Sequence, residues 1–219
     1  MTTSTRRYPW VHPVALASSL CAIIIFGGST FIAELITPGF DPVRQTISEL
    51  AAGDAPTRIF VTIAFVLTGA CHMLTASFTP GIGVPGRVAL FAAGISTELV
   101  AAFPLPTMAS TSTAHRFAAM LGFVLLAIWP ALGMRVNREL PFLLRPWGAI
   151  ASTVFIGIFC FIFLGVWANP AATAVGVWER LAADIEGVWP AVVVLTLWFT
   201  QRARRIRVAA NAPAANNLP

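Results

Sequence analysis

Lysine is absent from this chain of 219 residues, and charge of either sign is scarce: Asp, Glu and Arg together make up 11% of it. A soluble domain carries about 25% charged residues. So few charges cannot clothe a water-facing surface, which excludes a soluble enzyme. Cysteine occurs three times, as Cys21, Cys71 and Cys160, each inside an apolar run and none with a CxxC partner. They read as small hydrophobes rather than as a disulfide framework or a metal knot. Histidine also occurs three times, with no HxxxH or HExxH spacing. No glycine-rich phosphate loop follows a strand, and no serine-nucleophile motif is present. What the chain does have is 57% hydrophobic residues, which excludes a disordered polypeptide and points to an integral membrane protein.

Crossing the hydrocarbon core takes about 20 apolar residues in a helix. Six stretches qualify, at 13–37, 59–79, 86–107, 114–134, 147–168 and 182–201. Breakers separate them: Thr37-Pro38-Gly39, Thr79-Pro80-Gly81, Pro104 with Pro106, and Asn169-Pro170. The runs do not alternate, so a β-barrel is not indicated. The expected fold is all-α, a polytopic bundle of six transmembrane helices. Residues 1–12 form a cytoplasmic N-terminal segment, 13–201 the membrane domain, and 202–219 a tail that is first basic and then, from 208, disordered. The first run is too long for a signal-peptide core and lacks a clear cleavage site, so it reads as an uncleaved first span.

Arginine placement gives the direction. The N-terminus, the loops after spans two and four, and the tail hold Arg6, Arg7, Arg87, Arg135, Arg138, Arg145, Arg202, Arg204, Arg205 and Arg207; the other side holds Arg44, Arg58, Arg116 and Arg180. Ten against four places both termini in the cytoplasm of a multi-pass cell-membrane protein. The net charge of +5 is thereby an insertion signal, with membrane lipids as the partners of the basic tail, and no nucleic acid is implied.

Acids show the converse bias. Only Glu139 is cytoplasmic in this topology, while Glu34, Asp41, Glu49, Asp54, Glu98, Glu179, Asp184 and Glu186 fall on the outer side. Loop acids follow from the insertion rule alone. Glu34, near the outer end of span one, and Glu98, about 9 Å below the end of span three at 1.5 Å per residue, do not. An acid in hydrocarbon costs a few kcal/mol and must face the bundle interior, hold a proton or find a partner. The loop between spans one and two reads as a short amphipathic helix. Asp41 suits its N-cap, Pro42 its first turn and Gly53 its stop, with Val43, Ile47, Leu50 and Ala51 on one face.

His72 lies about 18 Å from His115 along the membrane normal, which disfavours a haem held by that pair. His115 opens span four in the same outer layer as Glu34, Asp41, Glu49, Glu98 and Asp184. One histidine with two such acids has the donor set of an open zinc site, although no cofactor or resident metal is assigned.

Asp41-Pro42-Val43-Arg44-Gln45-Thr46-Ile47-Ser48-Glu49-Leu50, Phe103-Pro104, His115 and Gly176-Val177-Trp178-Glu179-Arg180-Leu181 together resemble the domain of unknown function 998 family of bacterial and archaeal membrane proteins, over about residues 13–201. The resemblance implies six membrane helices and brings no established activity. By analogy it marks Asp41, Arg44, Ser48, Glu49, His115 and Arg180 as outer-site candidates.

Three functions are open at this point. The preferred one is binding or moving a lipid or small polar ligand through an outward-facing pocket lined by Glu34, Arg44, Glu49, Glu98, His115 and Arg180. The second is a membrane-embedded lipid hydrolase in which a metal or an acid–histidine pair activates water. The third is an accessory subunit of a membrane complex, with a membrane-protein partner or a second copy of the chain.

Overall fold

The computed structural model describes residues 10–169 and 171–211. The sequence expectations for Arg6, Arg7, Pro170 and residues 212–219 lie outside that range. Six long helices run in order: α1 Pro13–Ile36, α2 Arg58–Ser77, α3 Val84–Ala102, α4 Thr113–Leu132, α5 Pro146–Trp167 and α6 Val175–Ala210. Each is long and apolar enough to cross a membrane, and no strand occurs among the described residues. Local chemistry starts the helices. The His12 side chain accepts from Val14 N–H at 3.2 Å at the head of α1, and Ser112 accepts from His115 N–H at 3.1 Å at the head of α4. Proline sits in the first turn of α1, α3 and α5, where its missing N–H costs nothing.

Consecutive helices α1 to α4 pack in sequence, and α6 closes the bundle against α1, α4 and α5. One end carries the loops after α1, α3 and α5 and most of the acids; it is called here the acidic end. The opposite, basic end is sealed by a cluster around Trp129, Leu90, Leu144, Val193 and Leu197. A second cluster, with Ile47, Leu50, Val61 and Phe65, lies under the acidic-end loop.

Helix α6 has 36 residues, or about 54 Å at 1.5 Å per residue, well beyond a hydrocarbon core of about 30 Å. It begins seven residues before the expected span, so Glu179 and Arg180 are helical, and it continues through Arg202–Arg207 to Ala210. The loop between α1 and α2 also differs in extent. Instead of a helix from Asp41 to Gly53 it holds a five-residue 3-10 helix, Ile47–Ala51. The cause is visible in the hydrogen bonds. A continuous α-helix would spend the carbonyls of Pro42, Val43 and Gln45 on N–H groups four residues on. Here Pro42 and Gln45 C=O accept from Arg180 Nη1, Val43 C=O accepts from Gly176 N–H, and Ile47 N–H donates to Glu179 Oε2. The head of α6 thus takes the groups the loop would have used for itself.

Candidate ligand-binding site

Two cavities lie under this clasp. The deeper one, of about 420 Å³, is lined by α1, α2, α3, α4 and α6 together with Ile47 and Ser48 of the loop. Its walls are mainly apolar, with Phe26, Phe65 and Phe123, and a few polar groups converge on it: Thr68, His72, Ser96 and Thr97 from α2 and α3, Glu179, Asp184 and Glu186 from α6. The shallower one, of about 350 Å³, lies between the loop at Thr46–Glu49, the α3–α4 loop, α4 and α5, and is rimmed by Ser48, Glu49, Ser110, Thr111, His115 and Arg116. Ser48, Ala119, Phe123 and Glu179 line both, so the two spaces share one wall.

Each side chain in the rim is set by its element. His115 is buried, and its Nδ1 lies 2.9 Å from the Phe103 carbonyl. A carbonyl only accepts, so the proton sits on Nδ1 and the lone pair on Nε2. Glu49 accepts from Thr46 N–H at 2.9 Å, Thr46 Oγ1 at 3.0 Å and Gln45 Nε2 at 2.8 Å, and these bonds fix it at the loop corner. The Arg116 guanidinium lies 4.6 Å from the Trp167 ring centroid, a cation–π stack on the α5 side of the rim.

The eight sequence candidates separate into three groups. Ser48, Glu49 and His115 line a cavity. Glu34, Asp41 and Arg180 belong to the clasp: Arg180 Nε donates to Glu34 Oε1 at 2.7 Å, and Asp41 Oδ1 accepts from Val43 N–H at 2.9 Å. Arg44 and Glu98 stand apart. The Arg44 side chain is 71% exposed and among the described residues pairs only with Asp41, at 3.7 Å, and Glu98 packs on α2 beside Gly69 and lines neither cavity. The single chamber expected around all of them is therefore replaced by two cavities and a clasp. Glu98→Gln removes an acid that, among the described residues, no hydrogen bond or ion pair holds. It is expected to leave the thermal midpoint unchanged or raised, as an unpaired acid in hydrocarbon is a cost; thermal unfolding in detergent checks this.

Sequence reasoning passed over the interior of the deeper cavity. Glu186 lies eleven residues into α6, roughly 16 Å below its start at 1.5 Å per residue, and is 1% exposed. Its Oε1 accepts from Cys160 Sγ at 2.8 Å. The signal was present: Asp184 and Glu186 fall inside the sixth apolar run, yet a count of charges by side assigns them to the exterior. His72 reads from sequence only as a packed core histidine, and Thr68 carries no signal that sets it apart. Among the described residues no three of His, Cys, Asp and Glu gather closely enough to hold a metal ion, and His115 has no second histidine or free acid pair beside it to complete the donor set considered from sequence.

No curated protein and no solved structure matches the chain. A family profile described as "Protein of unknown function (DUF998)" matches residues 19–196, a stretch that holds the clasp, both cavities and nearly all of the six spans. This integral membrane protein belongs to the DUF998 family.

Proposed function

We propose that the protein binds or moves an amphiphile, a lipid or a small polar ligand with an apolar part, through a pocket that opens at the acidic end of the bundle. The ten-to-four arginine asymmetry favours that end facing outward from the cell membrane, with both termini cytoplasmic. The observation that carries the reading is the pair of cavities with a common wall: a polar-rimmed one near the surface and a largely apolar one in the membrane-spanning interior. Apolar concavities with a few convergent polar groups are how small-molecule sites are built. A head group fits the rim, where Ser, Thr and Arg116 offer donors and His115 Nε2 an acceptor, and the apolar part fits the aromatic interior.

Gly187 gives a test that spares the fold. It lines the deeper cavity, and a Cβ placed on it meets nothing within 4 Å. Gly187→Leu fills the space and removes a helix-interior glycine worth about 0.8–1 kcal/mol against the fold. Native mass spectrometry of the wild-type protein in mild detergent is expected to show a retained amphiphile. Gly187→Leu should lose it with an unchanged or higher thermal midpoint. An equally loaded variant would end the proposal.

A further inference from the structure

The deeper cavity has an uneven chemistry. Its acids come from one helix: Ala183 and Gly187, one turn apart on α6, line it, a Cβ on Gly187 would meet nothing within 4 Å, and Asp184 and Glu186 flank that face. No arginine lines the cavity. Arg180, the cation on the same stretch of α6, aims Nε at Glu34 and Nη1 at the carbonyls of Pro42, Gln45 and Gly176, and its buried Nη2 has no hydrogen-bond partner among the described residues. Among the described residues none of Glu179, Asp184 and Glu186 forms an ion pair. Glu179 is bound to Ile47 N–H, but Glu186 has only a thiol, a weak donor, on one oxygen.

The facing wall carries groups that are also left over. Thr68 Oγ1 and His72 Nδ1, in residues 4% and 2% exposed, have no hydrogen-bond partner among the described residues although both residues line the cavity. Buried polar groups are normally paired, and each orphan calls for a missing partner. Two prolines add to this. Pro130 in α4 and Pro190 in α6 lack the N–H that would serve the carbonyls of Leu126 and Glu186, and both of those residues line the cavity. Acids without an ion pair, carbonyls that lack their helical N–H and aromatic rings all attract the same species. Carboxylates and carbonyls coordinate a cation, and the cavity wall also holds the aromatic rings of Phe26, Phe65 and Phe123, a side-chain type that attracts cations. A carboxylate buried without a counter-charge is costly, and a ligand that brings the charge removes that cost.

We propose that the deeper cavity is a site for an organic cation, an ammonium group carried on an apolar body, with Glu186 as its principal counter-charge and Asp184, exposed at the edge, as the second. This rests on the reading of the cavities as a ligand site and names the class of ligand. The ammonium can come from a lipid or from a free amine.

The test uses the full chain in phosphatidylglycerol nanodiscs, with empty discs as the reference, and measures by equilibrium dialysis the binding of benzyltrimethylammonium and of its neutral isostere neopentylbenzene. Wild-type protein is expected to prefer the cation. Glu186→Gln should weaken cation binding by about tenfold or more and leave the neutral probe unchanged, and Asp184→Asn, at an exposed position that tolerates the change, should weaken it by a smaller factor. Equal affinity for both probes in the wild type, or cation binding within about twofold of wild type in the folded variants, overturns the proposal. If Gly187→Leu still sheds a retained amphiphile while that preference is missing, only the cation assignment falls. Discs that also contain phosphatidylethanolamine separate the sources: competition with the probe assigns the ammonium to lipid, and undiminished binding assigns it to a free amine.

Discussion

Arg180→Met should lower the unfolding free energy of the detergent-solubilised protein by about 3–5 kcal/mol, the range for removing one partner of a buried ion pair. The guanidinium donates through Nε to Glu34 Oε1 at 2.7 Å and through Nη1 to the carbonyls of Pro42, Gln45 and Gly176 at 2.9, 2.9 and 2.8 Å. The Arg180 and Glu34 side chains are only 17% and 18% exposed, so water does little to screen the loss. Methionine keeps the apolar stem and removes every side-chain donor, which leaves the Glu34 carboxylate and the Pro42 and Gln45 carbonyls without that partner, while the Gly176 carbonyl keeps the backbone N–H of its helix. Glu34→Gln should cost less, because Arg180 keeps its carbonyl partners. Combining Glu34→Gln with Arg180→Met should recover part of the loss, and a double-mutant cycle on unfolding measures that coupling. A cost below about 1 kcal/mol for Arg180→Met, as for an exposed pair, would mean that the clasp does not hold the loop. The effect should extend to binding. Ser48 and Glu179 line both cavities and sit on the two partners of the clasp, so the variant should also retain less ligand.

Those same groups mark how far the sequence could be read. The six spans follow from run length and hydrophobicity, which the bilayer itself imposes, and their order and breakers match the helices. The loop after α1 carries true helix signals in Asp41, Pro42 and Gly53, yet the carbonyls that a helix would need are spent on Gly176 and Arg180, more than 130 positions away in the chain. No local signal reports that competition. Glu179 and Arg180 looked like loop charges for the same reason, since their partners come from that distant segment.

The cavity was harder still. Its acids could be found by asking which lie inside an apolar run rather than on which side they fall. The empty space could not, because a glycine in an apolar run has two opposite meanings. At Gly187 an added Cβ meets nothing within 4 Å, whereas at Gly94 it would lie 2.6 Å from the Gly69 carbonyl oxygen. One glycine leaves room and the other permits contact, and the letters are the same.

That contrast sets up a pair of substitutions with opposite signs. Gly94→Ala should destabilise the protein by about 1–3 kcal/mol, the usual cost of forcing atoms into a packed interior, although alanine favours a helix by about 0.8–1 kcal/mol. On α3 the new methyl would lie 2.6 Å from Gly69 O and 3.1 Å from Met73 N, both backbone atoms of α2 that cannot turn aside, and 2.7 Å from Met73 Cγ. The reciprocal position is as tight, with a Cβ on Gly69 lying 2.8 Å from Gly94 O. Helices α2 and α3 must therefore separate. In lipid, helix association depends on close backbone approach and packing rather than on expelling water, so lost contact has no hydrophobic replacement. Gly187→Ala, with the same change in helix propensity and no obstruction, should raise stability. Thermal unfolding of both variants in one detergent checks the signs, and a stabilised Gly94→Ala would mean that the helices are not in contact there. Separation of α2 also moves Thr68, the residue before Gly69, and His72 within the same turn, away from the acids on α6. Gly94→Ala should consequently weaken ligand retention without touching the cavity, while Gly187→Ala should narrow the cavity by a single methyl and keep the helices where they are.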